Sequence, residues 1–177
     1  MGPGDGGHPG DQREGPGQAH GLIPRERLTV RLVLLSPADR LLLLNFDDGR
    51  SAGWCTVGGG VDEGESLIEA ARRELLEETG HAEADFGPVV WRRQHDMLVE
   101  DEPRRLVESY FIVRVAHEEL SDHGWTDLER RVVKGMRWWS VDEIAVSDEP
   151  IYPGGLAGHL RPLLAGDIPT EPRMIGE

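Results

Sequence analysis

The sequence predicts an α/β fold in which a mixed β-sheet is packed between helices. Segments in which apolar and polar residues alternate, typical of half-buried strands, are interleaved with two or three segments of helical periodicity. These segments lack the regular strand–helix alternation of a fully parallel sheet, which favours a mixed sheet. The 177 residues are enough for one domain of ordinary size.

The first half of the predicted sheet consists of two longer strands and one short strand. Leucines and Val30 alternate with Thr29, Arg31 and Val33 over residues 28–34, as expected for a strand with one buried face. A turn follows, and residues 40–46 form the returning strand. The short strand, over residues 54–57, runs directly into three consecutive glycines.

A helix is predicted over residues 66–79, with Gly80 as its C-terminal stop. Leu67, Ala71 and Leu75 recur every four residues and give this helix an apolar stripe that can pack on the sheet. The remaining predicted elements are strands over residues 89–94, 109–115 and 137–141, a short helix near residues 141–145 and a closing helix over residues 156–164.

Both ends of the chain are predicted to lie outside the folded domain. Residues 1–22 are mostly Gly, Pro and polar residues, which cannot bury enough apolar surface to offset the entropy of ordering. Residues 166–177 have a similar composition. We therefore expect a disordered tail over residues 1–22, one domain over residues 23–165 and a flexible C-terminal tail over residues 166–177.

Charge and composition argue against several classes of function. The chain has 33 Asp and Glu against 19 Lys and Arg, a net charge of −14, which disfavours duplex nucleic acid and anionic membranes as partners. The single cysteine, Cys55, excludes an internal disulfide and a thiolate zinc site. Neither a signal peptide nor an apolar run long enough to span a membrane is present, so we expect a cytoplasmic protein.

Three acidic residues share one face of the predicted helix. Glu74, Glu77 and Glu78 have the spacing i, i+3 and i+4, at which like charges repel one another. They also lie in the last turn, where the helix dipole favours cations. A divalent metal removes both objections, because Mg²⁺ and Mn²⁺ prefer carboxylate oxygens. The simpler alternative is a solvated acidic face.

The residues around these carboxylates suggest a loop that closes over a ligand. Gly58, Gly59 and Gly60 allow a tight loop whose backbone can approach a bound molecule, so Gly59 and Gly60 are candidates for substrate binding. Arg73 can orient a neighbouring carboxylate, and Glu65, two turns earlier, is its expected partner.

The segment from Gly59 to His81 resembles the Nudix box, written G-x5-E-x7-R-E-U-x-E-E-x-G-U, in which U is a bulky aliphatic residue. The matching positions are Gly59, Glu65, Arg73-Glu74-Leu75, Glu77-Glu78 and Gly80. The single departure is His81, which stands at the final U, a packing position. The order of elements around the box extends the resemblance to about residues 27–165.

The resemblance implies an α/β/α sandwich with a mixed sheet between helices. It also implies hydrolysis of a nucleoside diphosphate linked to another group, dependent on Mg²⁺ or Mn²⁺. By position, the implied metal ligands are Glu74, Glu77, Glu78 and the backbone carbonyl of Gly58. Glu65 and Arg73 are implied to support the loop and to orient the catalytic carboxylates.

Three further residues have two interpretations each. Glu129 lies before the Trp-containing strand, where Nudix relatives often place an additional acid that serves as catalytic base or metal ligand. It also completes a capping box with Thr126, and both interpretations stay open. Arg92 and Arg93 follow a strand and are candidates for contacting phosphate or base, the alternative being an exposed strand edge.

The substrate is predicted from what lies outside the box. Relatives acting on ADP-ribose often carry a proline downstream, and those acting on dinucleoside polyphosphates a tyrosine, whereas residues 96–99 contain neither. The resemblance thus favours a MutT-like hydrolase of a nucleoside triphosphate, including an oxidised one. ADP-ribose or a dinucleoside polyphosphate as substrate, and a non-catalytic domain that senses nucleotides, stay open as alternatives. Nudix relatives are often dimers, so a homodimer is a further expectation.

Overall fold

The computed structural model describes residues 24–99 and 102–176, and the tail expected over residues 1–22 lies outside these ranges. The strands are β1 (Arg25–Leu35), β2 (Leu41–Asp47), β3 (Ala52–Thr56), β4 (Asp85–Val99), β5 (Glu102–Arg114), β6 (Val133–Trp139), β7 (Ile151–Tyr152) and β8 (Arg173–Met174). The helices are α1 (Leu67–Thr79), α2 (Asp127–Val132), α3 (Val141–Val146) and α4 (Leu156–Leu164). Among the described residues, no helix combines the length and apolar character that crossing a membrane requires.

The strands form one mixed sheet with helices on both faces. The strand order is β7-β3-β2-β1-β5-β4-β8, and β6 also pairs with β2. At the centre, β1 is parallel to β5 and antiparallel to β2. Leu32 packs in the core layer that includes Leu75 of α1, whereas the next residue, Val33, packs in the layer that includes Leu160 of α4. The predicted α/β/α sandwich with a mixed sheet is therefore confirmed.

The hairpin of β4 and β5 is longer than the sequence predicts. Its two strands pair from Asp85 opposite Arg114 to Val99 opposite Glu102, beyond the predicted ranges 89–94 and 109–115. Several β4 residues past Trp91 are exposed, so this end of the hairpin lacks the apolar alternation that marks a strand in the sequence. Backbone pairing, which leaves no such pattern, holds it together.

Three elements were not predicted, namely α2, β8 and the two-residue strand β7, which pairs with β3. Helix α2 has no buried residue, so it shows no apolar periodicity that could reveal it. Strand β8 corrects the expectation of a flexible tail over residues 166–177, because Arg173 and Met174 pair with Trp91 and Arg92 of β4. Ile175 then inserts into the core beside α4, and a single buried side chain is too weak a signal to read from composition.

His81, the one departure from the box, is a buried polar residue directly after α1. Its Nδ1 lies 3.0 Å from the Thr79 hydroxyl, and its Nε2 lies 3.2 Å from the carbonyl of His117. The ring stacks on that of His117 with centroids 4.8 Å apart. Burial lowers the pKa of His81 below its ordinary value of 6.5, and the neighbouring His117 ring lowers it further. The contact with the His117 carbonyl raises the pKa but does not outweigh these two effects.

We predict that the packing of His81 makes the protein less stable in mild acid. Because the folded-state pKa is lowered, the contribution of neutral His81 is present above about pH 6.5 and is lost as the pH falls below it. Between pH 7 and pH 5, His81→Leu should therefore lose a few degrees less in Tm than the unaltered protein.

Thermal melts at the two pH values check this prediction. His123 is exposed, so His123→Leu serves as the matched control and should follow the unaltered protein. An equal loss of Tm in all three proteins would mean that His81 does not contribute to the acid sensitivity.

Candidate metal centre and active site

Helix α1 is fixed at both ends by its own sequence. The Ser66 hydroxyl accepts from the backbone N–H of Glu69 in a capping box, and Gly80 ends the helix in the left-handed conformation, φ 79°. Both ends agree with the prediction. The buried side of the helix includes two acidic residues, Glu74 and Glu78, which are only 6% and 7% exposed.

Three carboxylates converge where α1 faces α2. One oxygen from each of Glu74, Glu78 and Glu129 lies within 4.8 Å of the other two. Glu77 does not belong to this group, because its side chain is 43% exposed and its carboxylate accepts from Arg73 at 3.2 Å. Tertiary structure therefore brings Glu129 together with two of the three predicted carboxylates of the box.

The position of Glu129 is compatible with both of its predicted roles. Its Oε2 accepts from the backbone N–H of Thr126 at 2.6 Å and from the Thr126 hydroxyl at 2.7 Å, so it caps α2. The same side chain places an oxygen in the acidic cluster. The cap thus fixes the Glu129 carboxylate at the cluster. The action of Glu129 as a base stays a prediction.

Burial of these like charges favours protonation. Burial raises the pKa of Glu78 to about 8, and the charge of Glu74 adds to this effect, against a hydrogen bond of 2.7 Å from the Gly58 N–H. Burial also raises the pKa of Glu74, although Arg73 opposes the change. A bound cation would reverse both effects by stabilising the charged carboxylates.

Arg73 joins the loop and the helix through five hydrogen bonds. Its guanidinium binds both oxygens of Glu65 at 3.0 Å and the carbonyl of Gly60 at 2.8 Å. It also donates to Glu74 at 2.7 Å and to Glu77 at 3.2 Å. This geometry matches the predicted support of the loop by Glu65 and Arg73, because one planar fork fixes the loop and two carboxylates together.

The glycine loop lies against the acidic residues too closely for a side chain. A Cβ on Gly59 would stand 2.4 Å from Oε1 of Glu74, and one on Gly60 would stand 2.7 Å from the Arg27 guanidinium. Gly58 has φ 136°, and a Cβ there would stand 2.1 Å from the carbonyl oxygen of Val30. The absence of side chains thus allows the loop to pack between β1 and α1.

The backbone of Gly58 links the glycine loop to two charged side chains, Glu78 and Arg31. Its N–H donates to Glu78, and its carbonyl accepts from Nη1 of Arg31 at 3.2 Å. Arg31 Nη1 also lies 3.3 Å from the carbonyl of Thr56. A carbonyl oxygen has two lone pairs, so this contact leaves room for the predicted role of Gly58 as a metal ligand.

The structure separates the two predicted substrate-binding arginines of β4. Arg92 is exposed, and its carbonyl accepts from the N–H of Ile175 beside β8. Arg93 instead turns toward β5, where its guanidinium donates to Glu108 at 3.2 Å. Of the two, Arg93 lines a cavity.

Two adjacent cavities, together called the groove, begin at the acidic cluster. The first cavity, of about 590 Å³, is lined by Gly58, Glu78 and Glu129 together with Arg27 and Arg31. The second cavity, of about 400 Å³, is lined by Phe46, Arg93, His95, Met97 and Tyr152 among others. Both volumes fall in the range of small-molecule sites. The cavities share Arg31, Phe46, Asp48 and Cys55.

A buried ion cluster beneath the groove escaped the sequence analysis. Glu108, 1% exposed, accepts from Arg31 at 2.9 Å, from Arg93 at 3.2 Å and from the Tyr110 hydroxyl at 2.9 Å. Burial acts to raise the pKa of Glu108, but His95 and Arg31 hold it well below its usual range. The only signal in the sequence was a charged residue, Arg31, inside an apolar strand.

The fold and this site agree with comparison to known proteins. A family model described as NUDIX domain matches residues 25–156, and the chain therefore belongs to the Nudix family. The box residues from Gly59 to Gly80 lie within the matched region and form the site described above.

Relatives share parts of this domain. The chain is 32% identical over 117 residues to "Nudix hydrolase 19, chloroplastic" of Arabidopsis thaliana, covering 61% of this chain and 26% of the relative. It is 47% identical over 58 residues to an RNA pyrophosphohydrolase of Caulobacter vibrioides, and this match covers 32% of this chain and 34% of the relative. The matches thus span about a quarter and a third of these relatives. A MutT protein from Methanosarcina mazei shares the fold, with a TM-score of 0.60 and 19% identity. The match covers 82% of this chain and 98% of the MutT protein.

Proposed function

We propose that this protein hydrolyses a pyrophosphate bond in a nucleoside diphosphate linked to another group, with Mg²⁺ or Mn²⁺ as cofactor. The proposed substrate is a nucleoside triphosphate, including an oxidised one. The observation that carries the proposal is the convergence of Glu74, Glu78 and Glu129 within 4.8 Å of one another beside a groove of nucleotide-binding size. The related RNA pyrophosphohydrolase supports the class of bond by its name.

The residues present fit a divalent cation. Two of the three carboxylates are buried, and Coulomb repulsion between them is unfavourable unless a cation or protons compensate it. Carboxylate and carbonyl oxygens are the donors that Mg²⁺ and Mn²⁺ prefer. The proposed ligands are Glu74 and Glu78, with the Gly58 carbonyl and Glu77 as the further ligands that the box implies, and Glu129 is the acid beside them.

When bound, the cation would neutralise the diphosphate and lower the pKa of an attacking water. The chain's own residues supply the rest of the proposed chemistry. Glu129 is placed to accept the water's proton, because the Thr126 cap holds its carboxylate at the groove. Arg27 and Arg31 line the same cavity and can bind phosphate oxygens. Arg73 holds Glu74 in one orientation through charge-assisted hydrogen bonds.

A nucleotide panel tests this function. The panel would contain nucleoside triphosphates, oxidised nucleoside triphosphates, ADP-ribose and dinucleoside polyphosphates, and products formed with Mg²⁺ or Mn²⁺ would be separated by chromatography. A triphosphate gives a monophosphate and pyrophosphate, ADP-ribose gives AMP and ribose 5-phosphate, and a dinucleoside polyphosphate gives two mononucleotides. Turnover of a triphosphate that stops in EDTA is the expected result. Tight nucleotide binding without turnover of any member would contradict catalysis and favour the sensing alternative.

A separate prediction distinguishes the two roles of Glu129. Glutamine can also complete a capping box, so Glu129→Gln should keep Tm within a few degrees while kcat falls by about 10²-fold. Thr126→Ala removes the cap but keeps the carboxylate, and should cost about 1 kcal/mol in the free energy of unfolding with a smaller loss of kcat. Unchanged kcat in Glu129→Gln would leave Glu129 with the capping role alone.

A further inference from the structure

Arg93 has hydrogen-bond donors that the folded chain leaves unused. Its side chain is 11% exposed, and its one hydrogen bond to a described residue is that to Glu108. A guanidinium has five N–H donors, so most of them have no acceptor within the described chain, including the fully shielded Nε–H. Arg93 lines the second cavity, where a bound molecule can reach its exposed part.

The neighbouring acid is shared among several donors and satisfies only one of those of Arg93. Glu108 already accepts from Arg31 and Tyr110 in addition to Arg93. His95, 17% exposed, places its Nε2 3.5 Å from the same carboxylate, a contact too long to satisfy this buried nitrogen fully. Because a buried donor without a partner is costly, the second cavity calls for an acceptor atom on its ligand.

The charge balance of the second cavity favours a neutral ligand group. Arg31 and Arg93 are offset by Asp48 at the lining and by Glu108 beneath it, so the charges of these four side chains sum to zero. An anionic group would need an excess of positive charge. A neutral group with acceptor atoms fits this cavity better.

The walls of the second cavity favour a flat group. Phe46 and Tyr152 line it, with ring centroids 6.1 Å apart and planes tilted by 50°. Aromatic side chains of this kind offer a face on which a base can stack. The cavity adjoins the one beside the acidic cluster, since Arg31 and Phe46 line both.

We propose that the second cavity holds the nucleobase of the substrate and that Arg93 selects bases with a keto oxygen at the edge that faces it. This proposal rests on the proposed function and adds the class of nucleotide. A keto oxygen accepts from the guanidinium, as in the pairing of arginine with guanine. An amino group at the same place is a donor that would face the donors of Arg93, so adenine and cytosine nucleotides are disfavoured.

Two pairs of substrates test the proposal, because the members of each pair differ only in the exocyclic group and in the proton on the ring nitrogen next to it. ITP and ATP differ at C6 by an oxygen or an amino group, and UTP and CTP differ likewise at C4. We expect kcat/KM to be roughly tenfold higher for the keto member of each pair, the effect of one unpaired polar group. Equal values within both pairs would overturn the proposal.

Variants of Arg93 test whether this side chain causes the preference for keto bases. Arg93→Met should bring both ratios close to one. Arg93→Gln can still donate to Glu108 but can also accept from a ligand, so it provides a second variant with the same expected loss of preference. Arg114 is exposed and ion-paired with Asp39, and Arg114→Met is the matched control that should keep the ratios. A preference that survives in both Arg93 variants would also overturn the proposal.

Binding of products separates this proposal from the proposed function. The dissociation constants of IMP and AMP would be measured by calorimetry in EDTA, where no bond is cleaved. Tighter binding of IMP that is lost in Arg93→Met supports the base site even if the nucleotide panel shows no hydrolysis. Hydrolysis with equal binding of IMP and AMP would instead retain the function and reject the base site.

Discussion

Glu78→Gln is expected to stabilise the metal-free protein and to remove most of its activity. In the unaltered protein the pKa of the buried Glu78 carboxyl is raised to about 8, so folding at pH 7 requires protonation of a group that is ionised in the unfolded chain. Glutamine keeps an oxygen that can accept the hydrogen bond from Gly58 but carries no charge. The variant should gain up to about 3 kcal/mol in the free energy of unfolding in EDTA at pH 7.

The pH dependence of this gain has a definite sign. Because the folded-state pKa of Glu78 is above its ordinary value of 4.5, its contribution to stability is fully present below about pH 4.5 and is lost as the pH rises to about 8. The advantage of Glu78→Gln should therefore be small at pH 4.5 and should grow toward pH 8.

Metal should reverse the order of stability. Mg²⁺ should raise the Tm of the unaltered protein by mass action and that of Glu78→Gln much less, while kcat falls by orders of magnitude. Glu83→Gln, at an exposed position, controls for the general loss of one negative charge and should respond to Mg²⁺ normally. An equal response to Mg²⁺ and equal phosphate release in all three proteins would show that these carboxylates are only a polar surface.

Gly59→Ala is expected to damage the site without damaging the fold. The new Cβ would stand 2.4 Å from Oε1 of Glu74, so that carboxylate must move. Since the obstacle is the end of a side chain, the carboxylate can move while the backbone stays in place. A displacement of about 1 Å in a reacting group can lower kcat about 10²-fold, and we expect a loss of at least this size with Tm changed by only a few degrees.

Gly58→Ala provides the contrast one residue away. Its Cβ would stand 2.1 Å from a backbone oxygen of Val30, at φ 136°, so neither the neighbour nor the loop can relax cheaply. We expect a loss of several degrees in Tm for this variant. Melts and phosphate release for both alanine variants check the contrast, and an equal loss of stability in the two would contradict it.

The sequence by itself determined the features that depend on neighbouring residues. Helix α1 was predictable because its cap at Ser66, its stop at Gly80 and its apolar stripe all lie within the helix or next to it. The acidic residues and their partners Glu65 and Arg73 were predictable for the same reason, since residues close in sequence are held close in a helix and its preceding loop.

Tertiary structure alone decided which acids converge. Glu77 belongs to the box but is drawn to Arg73, whereas Glu129 arrives from α2, a helix without any apolar stripe. The sequence left Glu129 divided between cap and base, because no local pattern fixes the distance between two helices. The same lack of a pattern hid strand β8, which is ordered by β4.

The ion pair at the floor of the groove could not be predicted from local sequence, because its two residues lie on different strands. Arg31 and Glu108 are 77 residues apart and meet because β1 and β5 are parallel neighbours in the sheet. Alternation in β1 suggested a solvent-facing Arg31, but its partner on the next strand allows the charge to be buried. Strand order is a property of the whole sheet, so ion pairs and cavities between distant strands follow from tertiary packing and not from local sequence.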